Sequence, residues 1–161
     1  DIIEALYLFL VIEFLWFFKI KDVKSILIFL SSIILMIVFT DQSSNFFKEF
    51  FERLRPCHNP ELIDLIRIVK IGCGGLYGFF SAHAANTFAF ASFIYFLTPN
   101  ENNYKRTSSY LFIWAAFISY SRIYIGVHYP IDIFFGAIFG ILSGYLFHKP
   151  FLYFRKSKSF L

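Results

Sequence analysis

Five long apolar blocks constrain the fold of this chain more than any other feature of its sequence. They cover, in order, Ile2–Phe18, Ser25–Thr40, Ala84–Leu97, Ser108–Ser119 and Ile131–Phe147. Of the 161 residues 58% are hydrophobic and only 16% are charged, and the apolar residues form continuous blocks instead of amphipathic stripes. Because backbone polar groups must be satisfied internally in lipid, such blocks predict membrane-spanning helices. We therefore predict an all-α fold, a polytopic membrane helical bundle of about five transmembrane helices, as a single integral-membrane domain over residues 1–161.

Lysine and arginine residues at the ends of these blocks predict the orientation of the bundle. Three basic groups share one side of a five-span arrangement: Lys19, Lys21 and Lys24; Lys105 and Arg106; and Lys149, Arg155, Lys156 and Lys158. The positive-inside rule places that side in the cytoplasm, so residues 41–83 and the turn 124–129 face outward. The chain opens almost directly into an apolar block, without the features of a cleavable signal peptide. We expect a further natural segment before Asp1.

The outward-facing segments nevertheless carry cations that the charge rule does not explain. They are Lys48, Arg53, Arg55, Arg67, Lys70 and Arg122. Anion binding is the function that would account for them, whereas no basic run is long enough to follow a nucleic-acid backbone. No nucleic-acid partner is therefore expected, despite the formal net charge of +4.

Residues 45–56 alternate aromatic pairs with charges, which predicts a short amphipathic helix at the membrane interface before the Arg55-Pro56 pair. Lys48 and Arg55 are seven positions apart, so they would share one face of that helix, and Pro56 would end it. Contact of both cations with lipid headgroups is the simpler alternative.

Ionisable residues are concentrated between the last two apolar blocks, in the segment from Ser121 to Asp132. If a helix resumes near Pro130, His128 and Asp132 lie four residues apart, and the carboxylate can orient the imidazole as a nucleophile or base. Arg122 adds a fork of donors suited to a phosphate or carboxylate. Each also has a simple structural alternative: an interfacial histidine, a helix-capping aspartate and an arginine that reaches the headgroups.

Residues 72–83 combine a glycine-rich stretch with the sequence Ser81-Ala82-His83. The glycine spacing does not match a dinucleotide-binding fingerprint, and no strand is expected before it. Ser81 and the backbone N–H groups at the start of the next helix predict an anion site. His83 beside that site can protonate a leaving oxygen. Together with His128 and three cations, these groups suit hydrolysis of a phosphate ester through a phosphohistidine.

The ordered set of motifs resembles the three-part signature of the type-2 phosphatidic acid phosphatase superfamily. The matching residues are Lys48 with Arg55-Pro56, then Ser81-Ala82-His83, then Arg122 with His128 and Asp132. The sequence departs from the middle motif, usually Pro-Ser-Gly-His, with Phe80 for proline and Ala82 for glycine. The family commonly has six spans, which again suggests a missing N-terminal element.

The resemblance implies a role for each matched position. His128 would be the nucleophile, Asp132 its orienting group and His83 the general acid. The phosphate would be held by Lys48, Arg55, Ser81, Ala82 and Arg122. No metal and no organic cofactor would be needed. The site would face the periplasm from a bacterial inner membrane, where it meets the lipid phosphate substrate and membrane lipids.

The substrate is predicted from this setting alone, because no motif identifies the lipid. We place undecaprenyl diphosphate slightly ahead of lipid A, whose 1- or 4'-phosphate is the alternative, followed by phosphatidylglycerophosphate and phosphatidic acid. A small anion channel or transporter would explain the buried charges but not their ordered spacing. A vanadium haloperoxidase would share the motifs but does not require five apolar spans.

Three further features carry structural expectations. Cys57 and Cys73 are the only cysteines and both face outward in this topology, so we predict a disulfide, with two free thiols as the alternative. Gly136, Gly140 and Gly144 allow close helix approach, and we favour packing within the bundle over a dimer interface. Glu13 in the first block faces either a polar interior or the interface.

Overall fold

Four helices account for most of the residues that the computed structural model describes, which are 23–62, 65, 72–98 and 102–156. The helices are α1 (Val23–Phe51), α2 (Ala82–Leu97), α3 (Asn102–Tyr124) and α4 (Pro130–Lys156), with a short 3-10 turn at Pro56–His58. Over these residues the structure has no strand, and an isolated bridge pairs Leu54 with Tyr77. The all-α prediction is therefore confirmed for this part of the chain.

Two of the described helices are long and apolar enough to cross a membrane, Val23–Phe51 and Pro130–Phe154. Large apolar side chains cover their outer surfaces: Leu27 is 58% exposed, Ile34 61% and Phe134 58%. Such a contiguous apolar surface is typical of a lipid-facing helix bundle. The first predicted block, Ile2–Phe18 with Glu13, lies outside the described residues, so the predicted number of five spans stays a prediction.

The predicted interfacial helix before Arg55-Pro56 is wrong, because α1 runs without a break for 29 residues through the second apolar block and on to Phe51. The polar residues after the block do not end the helix, since they are satisfied inside the bundle. The Thr40 hydroxyl donates to the Met36 carbonyl at 3.0 Å, and the Ser44 hydroxyl donates to the Phe80 carbonyl at 2.9 Å. Both side chains are fully buried.

The helix ends before the proline, which corrects the predicted relation between Lys48 and Arg55. Glu52 adopts the left-handed conformation with φ +46°, and its N–H donates to the Lys48 carbonyl at 3.0 Å. Arg55 follows in an extended conformation with φ −65° and ψ 156°. Extended geometry is favoured before a proline, because the ring clashes with helical backbone at the preceding residue. Lys48 and Arg55 therefore do not share a helical face, and Pro56 opens the 3-10 turn.

The three glycines of α4 pack directly on the backbone of α2. A Cβ atom added to Gly136 would lie 2.7 Å from the Ser81 carbonyl oxygen, and at Gly140 and Gly144 it would overlap the carbonyl oxygens of Ala85 and Ala89. The Ser92 hydroxyl of α2 donates to the Ile141 carbonyl of α4 at 2.8 Å. The prediction that the glycines serve packing within the bundle is confirmed by these contacts.

A side chain at Gly140 is expected to separate α2 from α4. We predict that Gly140→Val destabilises the protein by at least about 1–3 kcal/mol, because the two backbones leave no room to repack. Leu142→Val is the matched control, since Leu142 lies on the same helix and is 55% exposed. Unfolding in detergent measures both variants. Equal unfolding midpoints would contradict the close contact.

Candidate functional site

A cavity of about 190 Å³ gathers residues from all three sequence motifs. The predicted site residues that line it are Lys48, Arg55, Ala82, His83, Arg122 and His128, joined by Gly72, Cys73, Gly74, Ile125 and Val127. Lys48 comes from α1, His83 from the first turn of α2 and Arg122 from the last turn of α3. Ser81 and Asp132 lie behind this lining and do not form part of it.

The glycine-rich loop of residues 72–78 holds Arg55 in place. The Arg55 N–H donates to the Leu76 carbonyl, Nε donates to the Tyr77 carbonyl and Nη1 donates to the Cys73 carbonyl, each at 3.1 Å. A Cβ atom at Gly74, where φ is +78°, would lie 3.4 Å from Nη1. The sequence did not reveal this role of the loop. The loop orients a guanidinium toward the cavity.

A disulfide joins Cys57 to Cys73 across the same region, with the two Cα atoms 6.1 Å apart. This separation lies within the usual range for disulfides. The bond links the 3-10 turn after Arg55 to the loop whose Cys73 carbonyl accepts from Arg55. The cross-link therefore restrains both the backbone next to Arg55 and the loop that accepts a hydrogen bond from its side chain.

Ser81 caps α2 instead of presenting its hydroxyl to the cavity. The Ala84 N–H donates to Ser81 Oγ at 3.4 Å, and the side chain is fully buried. The Ser81 N–H donates to the Asp132 carbonyl at 3.1 Å, which ties the start of α2 to the first turn of α4. Ala82 and His83 then bring the N-terminal turn of α2 to the cavity, where helix N–H groups favour an anion.

His128 lies in the loop before α4, which begins at Pro130 as the sequence predicts. Only 4% of the His128 side chain is exposed. Its Nδ1 atom lies 3.5 Å from Asp132 Oδ2, and no described residue forms a hydrogen bond with that nitrogen. The separation is longer than a formed N–H···O hydrogen bond, although the two groups face one another.

The surroundings of the two histidines favour their neutral forms when the cavity holds no anion. Burial lowers the pKa of His128, Asp132 raises it, and the charges of Arg55 and Lys48 lower it again. Burial is also the main cause that lowers the pKa of His83, to about 4, with Arg122 and His128 contributing next. A bound phosphate dianion would act in the opposite direction and favour protonation.

Arg53 does not line the cavity but contacts Asp132, and the sequence placed it only among the outward-facing cations. Its Nη2 atom donates to Asp132 Oδ1 at 2.6 Å. The guanidinium also stacks over the Tyr129 ring, 4.6 Å from its centroid, and over the Phe79 ring at 5.5 Å. The one signal in the sequence is a second arginine two positions before Arg55, in a segment that Pro56 biases toward extended structure.

The other cations of the cavity lining have donors that the described residues satisfy poorly or not at all. Arg122 Nε is buried and has no hydrogen-bond partner among the described residues, and Lys48 Nζ makes a long contact of 3.4 Å with Asn45 Oδ1. An anion in the cavity would satisfy such donors. Over the described residues, no group of three histidine, cysteine, aspartate or glutamate side chains is arranged to hold a metal ion. Metal independence stays a prediction.

Comparison with known families agrees with the motif-based resemblance. The model of the PAP2 superfamily matches residues 5–156, which is most of the chain. The chain therefore belongs to the PAP2 superfamily, and the predicted family is confirmed.

Two curated relatives are similar to the chain over most of its length. A lipid A 4'-phosphatase of Porphyromonas gingivalis is 40% identical over 148 residues, covering 89% of this chain and 60% of the relative. A lipid A 4'-phosphatase of Bacteroides thetaiotaomicron is 41% identical over 128 residues, covering 78% of this chain and 55% of the relative. The chain thus spans a little over half the length of these relatives. No solved structure matches it.

Proposed function

We propose that the chain forms the single catalytic domain of an integral membrane phosphatase that removes the 4'-phosphate of lipid A. The observation that carries this proposal is the cavity in which two histidines meet Lys48, Arg55 and Arg122 at the start of a helix. The two relatives named lipid A 4'-phosphatases support the choice of lipid. They favour lipid A over undecaprenyl diphosphate, which the sequence alone ranked slightly higher.

The proposed reaction passes through a phosphohistidine on His128. Asp132 faces Nδ1, so Nδ1 carries the proton and Nε2 attacks phosphorus. As the N–P bond forms, the bond from phosphorus to the sugar oxygen breaks, and His83 gives that oxygen a proton. Water then attacks the phosphohistidine, His83 takes a proton from it, and inorganic phosphate leaves.

The three cations of the cavity stabilise the transition state in this mechanism. Lys48, Arg55 and Arg122 line one cavity with both histidines, so they can share the charge on the equatorial oxygens of the phosphoryl group. The first turn of α2 adds backbone dipoles through Ala82 and His83. Ser81 supports the phosphate indirectly, because its side chain caps that turn.

The 4'-phosphate of lipid A also fits the proposed role of His83 as general acid. The 4'-oxygen of a sugar leaves as an alkoxide unless it is protonated, and that proton requires a donor at the leaving side. A diphosphate has a better leaving group and needs such a donor less. His83 in the cavity therefore has a clearer task with a sugar phosphate than with undecaprenyl diphosphate.

A phosphate-release panel in detergent tests this assignment. The substrates are lipid A carrying only the 4'-phosphate, lipid A carrying only the 1-phosphate, undecaprenyl diphosphate, phosphatidylglycerophosphate and phosphatidic acid, each with and without EDTA. The 4'-phosphate should be released fastest, and EDTA should not change the rate. Faster release from undecaprenyl diphosphate would instead support that lipid, which the sequence analysis ranked first, as the substrate. If no lipid releases phosphate, the proposal is wrong, and the alternative of an anion channel or transporter is favoured.

The proposed orientation puts the cavity on the periplasmic side of a bacterial inner membrane, with the basic tail in the cytoplasm. We predict that Ser157→Cys is not labelled in intact cells by a membrane-impermeant thiol reagent but is labelled after the cells are opened. The native cysteines form the Cys57–Cys73 disulfide and leave the background low. Strong labelling of intact cells would reverse the topology.

A further inference from the structure

Asp132 is held on two sides at the base of the cavity. Its side chain is fully buried. One carboxylate oxygen, Oδ1, accepts from Arg53 Nη2 at 2.6 Å, and the other, Oδ2, accepts from the Tyr129 N–H at 2.9 Å. Oδ2 is also the atom that faces His128 Nδ1 at 3.5 Å. The carboxylate can therefore face the imidazole only in the orientation that Arg53 and Tyr129 set.

Arg53 is itself fixed by the fold. Its guanidinium lies over the rings of Phe79 and Tyr129, and its carbonyl accepts from the Gly78 N–H at 2.9 Å. Gly78 leaves the space beside the carboxylate, because a Cβ atom there would lie 3.5 Å from Asp132 Oδ2. Arg53 is not among the residues that line the cavity, so we expect no direct contact with a phosphate bound there. Its contact with Asp132 is the route by which it would affect the reaction.

We propose that Arg53 is a positioning residue of the active site, which clamps Asp132 Oδ1 so that Oδ2 faces His128 and which offsets part of the carboxylate charge that His128 senses. This inference rests on the proposed role of His128 as nucleophile. A salt bridge to a buried carboxylate requires both partners, because an unpaired buried charge is costly. Arginine suits the position better than lysine, since its planar fork can stack on two rings while it donates.

The electrostatic consequence has a definite sign. Asp132 on α4 favours the imidazolium form of His128, whereas Lys48 on α1 and Arg55 before the 3-10 turn disfavour it. His83 on α2 also faces His128 across the cavity. Removing Arg53 leaves the Asp132 charge less balanced, so the pKa of His128 should rise. Removing the Asp132 charge should lower that pKa.

The test compares Arg53→Met, Arg53→Lys, Asp132→Asn and the double variant Arg53→Met/Asp132→Asn. Arg106→Met is the matched control, because Arg106 is an exposed arginine at the start of α3. The pH dependence of kcat/KM is measured with p-nitrophenyl phosphate in detergent. Titration of the ring-labelled histidines by NMR gives the pKa of His128 without relying on turnover. Thermal unfolding reports the folded fraction.

We expect Arg53→Met to lower kcat by about 10²-fold, the loss typical of a misplaced catalytic group, with KM changed far less. The acid limb of its profile should move to higher pH, whereas Asp132→Asn should move it to lower pH. Arg53→Lys should restore the acid limb and part of kcat. The double variant should be no slower than Asp132→Asn alone, because Arg53 acts through that carboxylate.

Two results would overturn the inference. One is an Arg53→Met profile and histidine titration equal to those of Arg106→Met. The other is full additivity in the double variant. If Arg53→Met does not fold, Arg53→Gln replaces it in the same comparison, because glutamine also lacks the charge. A wild-type protein that releases no phosphate would refute the proposed function, while the NMR titration would still decide whether Arg53 tunes His128.

Discussion

Replacing His128 with alanine is expected to abolish phosphoryl transfer, with kcat reduced by at least about 10⁴-fold, the scale of loss seen when a nucleophile is removed. The physical reason is that, in the proposed mechanism, the imidazole both attacks phosphorus and carries the intermediate. Among the other described residues that line the cavity, His83 is a second imidazole, and the proposed mechanism assigns it the proton transfer instead. Rapid quench followed by detection of acid-labile phosphohistidine should find an intermediate in the wild type and none in His128→Ala.

His148→Ala is the matched control for this variant. His148 is also buried, but its ring stacks on Phe96, on the part of α4 distant from His128. Loss of that packing should lower stability without changing turnover per folded protein. Because burial lowers the pKa of His128, the wild type should stay active below the ordinary histidine pKa of 6.5. An intermediate that still accumulates in His128→Ala would assign the nucleophile elsewhere.

Replacing His83 with alanine is expected to produce a loss that depends on the leaving group. A positioned general acid contributes about 10²–10⁴-fold, and that factor should be lost for alkyl and sugar phosphates. Aryl phosphates such as p-nitrophenyl phosphate leave without a proton, so His83→Ala should retain most of its activity on them. A diphosphate should fall between these cases, because phosphate is a better leaving group than an alkoxide.

The measurement compares kcat of His83→Ala and wild type on lipid A, undecaprenyl diphosphate and p-nitrophenyl phosphate under one detergent condition. The pKa of His83 in the empty cavity is about 4, so its proton must arrive with, or be stabilised by, the bound phosphate. The decrease of kcat for lipid A at high pH should therefore be absent in His83→Ala. Equal losses on all three substrates would show that His83 binds phosphate instead of donating a proton.

The sequence identified the site through the order and spacing of its motifs. Lys48, His83, Arg122 and His128 are far apart in the chain, yet a three-part signature marked them as one group, and the structure brings them to one cavity. Such a prediction works because each residue type has a chemical task that few others can perform. The apolar blocks likewise determined helices, since lipid leaves the backbone no other way to satisfy its polar groups.

The sequence was less reliable where a local signal competed with tertiary contacts. The polar residues after Thr40 indicated a helix end, but buried hydrogen bonds from Thr40 and Ser44 let α1 continue to Phe51. Ser81 indicated a phosphate ligand, whereas the fold uses its hydroxyl to cap α2. In the first case Ser44 donates to a carbonyl 36 positions away. In the second, the burial of Ser81 and the contact of its N–H with the Asp132 carbonyl leave its side chain outside the cavity lining.

The sequence by itself determined the helical class and the family, and it predicted the residues able to handle a phosphate, because these depend on residue type, spacing and hydropathy. Only the tertiary structure decided which groups orient them. Arg53 reaches Asp132 across 79 positions of sequence, and the glycine loop reaches Arg55 across 18 to 22 positions. No local pattern encodes such pairings, since they arise when α2 and α4 pack closely along their glycine contact and bring the first turn of α4 beside the segment after α1.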